Sequence, residues 1–567
     1  MSLRPFAALP ALPALVATVV LAAACAAGTH STNGSRQDSG VSGGFDVADP
    51  DVKADDAACL AAADAHSSVG CEYYALQMDG GYSADNGCFV AFVANTSDHP
   101  AHLDVSFFGE NVDMADHVKL PRGSGQSLTY EDFDAGAGIA PGDVAILFLA
   151  GLPDAGPPAA MNDNKPVRCP VVPAKSSLTQ LHGTGLTHAF HIRTDVPVVA
   201  YQMLPYGGGA AAVTGATLLL PTSAWDGNYI AATAYTELSN SMDIVAWKDD
   251  TTVTLLPNAV VKSGGGIPGV DAGEPLIVHL DQGEVLQITQ DWELTGSPIE
   301  ADKPIGLFAG HPCLSVPAGI MYCDHAEQQI PPIRALGSEY LGVMHRPRNA
   351  SPENPPWRIV GAVDGTVLTF DPPIPGAPRT VDQGQVVLFN NKDKPFVVQS
   401  QDGDHPFLFN GYMTGSSSVS AGEGGRDGYG DADFVRAVPV PQYLDHYVFF
   451  TDPSYPETNL VVTRKKGKDG FADVTLDCLG VASGWVPVGT SGLYEKTYVD
   501  LVRHDFKPQN GCDNGRHEMT SAQPFGLTVW GWGTTETKSF TRDVSYGYPA
   551  GENLAALNTV VVPARPR

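Results

Sequence analysis

Hydrophobic and polar positions divide this chain into three regimes. Residues 5–20 are almost all Ala, Leu, Val, Pro and Phe, and small residues then lead into Leu21-Ala22-Ala23-Ala24-Cys25. Residues 26–50 are small and polar. They cannot bury enough apolar surface to fold and predict a flexible tether over 25–50. Beyond residue 55 the pattern becomes short apolar runs bounded by Gly, Pro, Asn and Asp, which predict strands joined by turns. Residues 55–66 (DDAACLAAADAH) are the exception and predict one short helix.

The strand-like runs recur four times in the same order. Each set opens on an aromatic-led strand: Cys71-Glu72-Tyr73-Tyr74, Gly227-Asn228-Tyr229-Ile230, Ser338-Glu339-Tyr340-Leu341 and Asp445-His446-Tyr447-Val448. An apolar hairpin follows; the Asp364-Gly365 step marks the turn in the third. A glycine turn comes next, at Gly142, Gly283, Gly384 and Gly492. A proline-led apolar strand closes each set: TDVPVVAYQM, ADKPIGLFAG, GDHPFLFNGYM and SAQPFGLTVWGWG. Proline is tolerated where a strand residue need not donate to the ladder. The expected division is 55–216 with an insertion around 110–165, then 217–329, 330–433 and 434–545, with 546–567 as a tail. Six or seven short strands in about 100 residues predict a small β-sandwich per unit, because an ordinary propeller blade is shorter. The predicted fold class is therefore all-β: a tandem array of about four diverged β-sandwich-like units, stapled by disulfides.

The N-terminus and the cysteines set the compartment. Arg4 precedes an apolar run that is short and interrupted by Pro10 and Pro13. That predicts an export signal over residues 1–24 rather than a spanning helix. The Leu21–Cys25 stretch resembles the lipobox of bacterial lipoproteins, with Ala22 where leucine is usual, which implies lipidation of Cys25. Simple secretion is the alternative. Ala26 rather than Asp after Cys25 favours, by the same resemblance, the outer membrane. Eight further cysteines are an even number in an exported chain and read as disulfides. Eight allow 105 connectivities; the favoured set is Cys59–Cys71, Cys313–Cys323 and Cys478–Cys512, with Cys88–Cys169 last. No CxxC spacing supports metal ligation instead.

Charge removes one class of partner. The chain has 33 basic and 63 acidic residues, a formal charge of −30, and offers no basic face for nucleic acid. No HExxH or P-loop is present, and no GxSxG stands at a strand-to-helix elbow. His311 and His325 flank the Cys313–Cys323 loop and read as ordinary loop residues before metal ligands. Arg516-His517-Glu518 reads as a strand after a disulfide-pinned turn. Asp427, Asp431 and Asp433 lie in a glycine-rich loop, RDGYGDADF. It is read either as a solvated acidic loop or as a calcium site, since hard cations want several oxygen ligands; no other cofactor is expected. Trp530 and Trp532 alternate on one strand face, Tyr201 and Tyr206 flank Gly207-Gly208-Gly209, and Tyr412 occupies the matching place in the third unit. These five either fill sandwich cores or form a ligand-binding surface.

Several long blocks carry a family resemblance: PVVAYQMLPYGGGAAAVTGATLLLPTSAWDGNYI, PPWRIVGAVDGTVLTFDP, and YLDHYVFFTDPSYPETNLVV with the DGFADVTLDC, VDLVRHDF, GCDNGRHE and PFGLTVWGWG blocks after it. Over residues 55–545 the chain resembles the IgGFc-binding protein N-terminal domain family, most nearly in bacterial surface lipoproteins of myxobacterial type. The resemblance implies a non-catalytic extracellular adhesin or ligand-binding module. It supplies no catalytic residue to carry over. The expected partners are a glycan, a glycoprotein or an envelope protein, bound with avidity across repeated faces. The expected location is the bacterial cell envelope, with the membrane reached only through the lipid, or the medium if secreted. A structural envelope spacer is the alternative, and a secreted hydrolase a third reading.

Overall fold

The computed structural model describes residues 56–153, 168–177, 179–209, 212–236, 239–320, 322–348, 353–391, 394–419, 429–534 and 541–565. The signal, the tether, Cys25 and Asp427 lie outside them. Residues 52–567 form one compact unit. Among the described residues the single α-helix is Asp56–Ala65, and everything else regular is strand or short 3₁₀ turn. No helix there is long and apolar enough to cross a membrane.

One long bent strand organises each repeat. In the first, Phe190–Leu204 pairs through residues 190–194 with Leu103–Phe107 and through 198–204 with Phe89–Asn95 and Gly215–Leu219, while Val69–Ala75 runs along it across a bulge. In the second, Pro298–Leu314 pairs through its first half with Asp226–Ile230 and Thr251–Leu255, and through its second with Asn240–Ala246 and Asp324–Ile330. In the fourth, Arg516–Trp532 does the same with Leu444–Phe450 and Val474–Leu476, then Glu457–Lys465 and Ser545–Pro549. The two halves of one strand thus serve two layers, giving the sandwich-like unit. In the third repeat this strand is broken into Phe396–Gln399 and Phe407–Met413, and the unit splits into sheets of three, four and two strands.

The tyrosine and proline landmarks meet at the bend. The Tyr73 hydroxyl donates to the Val198 carbonyl (2.6 Å), Tyr229 to Ile305 (2.7 Å), Tyr340 to Phe407 (2.7 Å) and Tyr447 to Phe525. Each acceptor is the residue after the landmark proline. Each hydroxyl also accepts from the backbone three residues before its own, at Gly70, Asp226, Gly337 and Leu444. A buried phenol therefore closes each bend at both ends, satisfying backbone groups that the bend removes from the ladder. The repeated glycine turn is equally literal: Gly142, Gly283, Gly384 and Gly492 have φ of 76°, 75°, 72° and 68°, a conformation that a side chain would strain.

The four units close on one another. The last strand of each, Gly215–Leu219, Asp324–Ile330, Asp433–Arg436 and Ser545–Pro549, packs against its counterparts in the preceding and following units, and the ring returns from fourth to first. The arrangement is that of a four-bladed propeller, although the unit spacing predicted separate sandwiches: outer strands enlarge each blade while its innermost strand faces the hub. No ladder joins one blade to the next at the hub, so side chains bridge the gap. Gln328 Nε2 donates to Ala216 O (3.0 Å) and Gly547 O (2.9 Å), and Gln329 Oε1 accepts from Leu220 N (2.6 Å). Arg436 reaches Gln329 O through Nε (2.7 Å) and pairs with the buried Glu552. The first and fourth units are tied by Ser68 N to Glu552 O (2.7 Å), and one apolar core runs from Tyr73 to Leu554 through both.

Four disulfides join Cys59 to Cys71, Cys88 to Cys169, Cys313 to Cys323 and Cys478 to Cys512, each within its own unit.

Candidate functional site

Blade packing decides which sequence candidates can meet a ligand. Tyr201, Tyr206, Tyr412, Trp530 and Trp532 are all buried, none more than 2% exposed. They are core residues and not a binding surface. Tyr201 donates to Val448 O (3.0 Å), Tyr206 shares a hydrogen bond with Tyr130 (2.8 Å), and Tyr412 reaches Ala234 O. Trp530 and Trp532 lie 5.3 and 5.6 Å from the His345 ring. The faces carrying these rings became inter-blade contacts, where large rigid side chains contribute most.

Asp431 and Asp433 are buried at the hub beside Asp324, not in a solvated loop. Each uses one carboxylate oxygen on backbone N–H groups: Asp324 on Ser545 (3.1 Å), Asp431 on Ser416 (3.0 Å) and Ala432 (2.8 Å), and Asp433 on Phe434 (2.7 Å). The other oxygens are buried without a hydrogen-bond partner. Burial pushes the Asp431 carboxyl up to about 7 and lifts Asp433 well above the carboxylate range. It lifts Asp324 as well, with Asp431 and Asp433 adding to the effect.

Among the described residues, one His/Cys/Asp/Glu group, Asp477, Cys478 and His517, has its ligand atoms within 4.8 Å of one another. The Cys478 sulfur is committed to Cys512. His517 contacts Asp477 Oδ1 through Nδ1 (3.1 Å) and Asp513 O through Nε2 (2.7 Å). These contacts brace the turn that the disulfide closes. His311 and His325, buried beside the hub, do not line an open site; His311 Nδ1 accepts from Cys313 N (2.9 Å).

An open site lies between the third and fourth blades. A cavity of about 250 Å³ is lined by Gly342, Val343, Met344, His345, Pro347 and Trp357 on one side, by Asn391, Lys394 and Pro395 at the rim, and by Lys496 and Tyr498 opposite. It adjoins a narrow apolar gap that reaches Val435, Tyr443, Val461 and Trp530. The strand Tyr494–Arg503 carries Lys496 and Tyr498 on one face. The opposite wall is clamped across the blades. Arg346 Nε donates to Asp500 (2.6 Å), its NH2 group to Glu457, and its backbone N–H to Asn459 Oδ1 (3.1 Å). Arg348 holds Glu353 (2.8 Å) and the Thr414 carbonyl (2.7 Å).

None of the described residues lining the cleft is acidic. The Lys496 ammonium lies 3.3 Å from the Tyr498 ring centroid, and desolvation brings its amine down to about 8. Burial lowers His345 to about 4, so its ring is neutral at pH 7. Arg346, Lys394 and Lys496 were not among the sequence candidates. The only available signal was Lys496 standing between Tyr494 and Tyr498 on an inward-facing alternation. A second exposed aromatic, Trp292, is 49% exposed on the second blade beside Asp291 and Glu293, with Lys262 over its ring at 4.3 Å.

The family model described as IgGFc binding protein matches residues 215–531, which run from the first hub strand to the end of the fourth blade's long strand. A human protein, "IgGFc-binding protein", is 26% identical over 322 residues, covering 56% of this chain and 5% of its own length. The chain thus spans a small fraction of that curated relative, while the family match takes in three of the four hub strands, the broken third repeat and both walls of the cleft. By that match, over more than half its length, the chain belongs to the IgGFc binding protein family.

Proposed function

We propose that this chain is a non-catalytic extracellular binding protein that captures a glycoprotein or its glycan in the cleft between its third and fourth blades. The observation that carries the reading is the cleft itself: a cavity of about 250 Å³ whose walls are fixed by the cross-blade ion pairs of Arg346 with Glu457 and Asp500 and by the Arg348–Glu353 pair within the third blade. A pre-formed concave site with a few convergent polar groups is the usual form of a ligand pocket, and fixed walls reduce the ordering cost of binding. Four disulfides in a 567-residue chain suit an oxidising compartment outside the cytoplasm. Anchoring through lipid on Cys25, in a bacterial outer membrane, belongs to the same proposal and is tested by metabolic labelling with a fatty acid in wild type and Cys25→Ser.

The human relative's name describes binding to immunoglobulin Fc, and Fc, itself a glycoprotein fragment, is one candidate ligand. The test is binding of labelled full chain to immobilised glycans, mucin-type glycoproteins and IgG Fc. Saturable, selective capture without turnover is expected. Failure of folded, disulfide-bonded protein to bind any of them would favour an envelope spacer, and cleavage of a ligand would favour a hydrolase.

A further inference from the structure

Five basic side chains are buried among the described residues: Arg346, Arg348, Arg358, Arg436 and Lys496. Four have a carboxylate partner: Glu457 with Asp500, Glu353, Glu293 and Glu552, respectively. Lys496 has none. It is nine-tenths buried, and among the described residues its ammonium meets the face of the Tyr498 ring and no carboxylate. A buried charge without a partner costs the folded state several kcal/mol in general, and a chain with 63 acidic residues had many ways to supply one. The gap in the pairing pattern falls at the cavity, whose lining adds a second ammonium, Lys394, and, among the described residues, no acid.

We propose that this cleft binds the carboxylate of an acidic sugar, a uronic- or sialic-acid-type residue of a glycan, with Lys496 as its ion-pair partner and Lys394 at the rim. The proposal deepens the ligand-binding reading above and rests on it. A ring-sized group suits a cavity of about 250 Å³, near the low end for small-molecule sites. The half-buried Tyr498 ring offers an apolar edge to a sugar ring, and the Asn391 amide, whose nitrogen donates to Lys394 O (2.6 Å), offers its oxygen as an acceptor for a sugar hydroxyl. His345 is neutral and does not compete for the anion. A charge-assisted hydrogen bond to the ammonium in this desolvated position is the strong kind, and it compensates the charge that burial leaves exposed to penalty.

The test titrates full chain with methyl glucuronide, methyl glucoside, inorganic sulfate and a short neutral peptide with a free C-terminus, by calorimetry and saturation-transfer NMR. Methyl glucuronide should bind at least tenfold more tightly than each of the others. Lys496→Gln should weaken the glucuronide at least tenfold, Lys496→Arg should retain most of the binding, and Lys394→Gln should weaken it a few-fold. All three variants are first checked for four intact disulfides and a cooperative melt. Equal binding of glucoside and glucuronide, equal or tighter binding of the peptide or sulfate, unchanged affinity in Lys496→Gln, or no glucuronide binding would each overturn the proposal. Competition separates the two readings. A glycoprotein captured equally well with saturating glucuronide and by Lys496→Gln sinks this inference but leaves the binding function standing. Glucuronide bound at Lys496 by a chain that captures no macromolecule does the reverse.

Discussion

The third blade and the other three are built from the same landmarks and end differently. All four close a bend with a tyrosine hydroxyl on the carbonyl after a proline. In three of them the long strand runs through that bend unbroken. In the third it stops at Gln399, makes the exposed turn Gln401-Asp402-Gly403-Asp404, and resumes at Phe407. The break divides the blade into smaller sheets, and Val343, Met344, His345 and Pro347, with Asn391, Lys394 and Pro395, line the cleft instead of extending a ladder. The clasp maintains the architecture even where the strand is broken, and the cleft lies beside the blade that departs from the repeat.

The largest expected effect comes from removing the hub's ion pair, which all four blades surround. Arg436→Met leaves Glu552 buried and unpaired and should destabilise by about 3–5 kcal/mol. Calorimetry should show the whole melt moving as one transition; loss of the third blade alone would contradict a closed ring. Breaking one clasp should cost less. Tyr229→Phe and Tyr340→Phe each remove a buried hydroxyl that donates once and accepts once, at about 1–3 kcal/mol by urea unfolding. Similar costs in the intact and broken blades would sharpen the comparison; a negligible cost at Tyr340 would show that the break has made its clasp redundant.

The remaining effects are pH-linked and smaller. Asp431 faces Asp324, Asp543 and Arg348. Its folded pKa, about 7, lies above the unfolded value of 3.8. The folded state therefore binds the extra proton, and stability should fall as pH rises from about 4 to 7, with the full cost present above 7. Asp431→Asn should stabilise by about 1–2 kcal/mol at pH 8 and flatten that slope. The same melts with calcium and with chelator should coincide if protons neutralise the hub; a calcium-dependent rise would mean that these carboxylates hold a cation. At the cleft, Lys496 faces His345, Lys394 and Tyr498. Its folded pKa, about 8, lies below the unfolded 10.5, so its cost is complete below 8 and is relieved between 8 and 10.5. Lys496→Met should gain about 1 kcal/mol at pH 7 while losing glucuronide binding, the opposite of what a structural lysine would do.

Much of the architecture was legible because its markers are local. The tyrosine, glycine and proline of each repeat stand at readable spacings, and all three are held by backbone geometry. The hub was not legible. Asp324–Ile330 reads DHAEQQI, a polar run that resembles a loop, and its burial depends on three distant strands. The aromatics misdirected for a related reason: sequence places Trp530 and Trp532 on one face but does not say that another blade covers it. Lys496 needed both walls of the cleft to become visible, and those walls are more than 100 residues apart.

The most direct test of the central claim, that the cleft beside the broken third repeat is the binding site, is hydrogen exchange on the full chain with and without a saturating captured glycoprotein. The account predicts new protection confined to segments around residues 343–348, 391–395 and 494–498. Protection centred instead on Trp292 and its neighbours, or spread equally over the four blades, would contradict it.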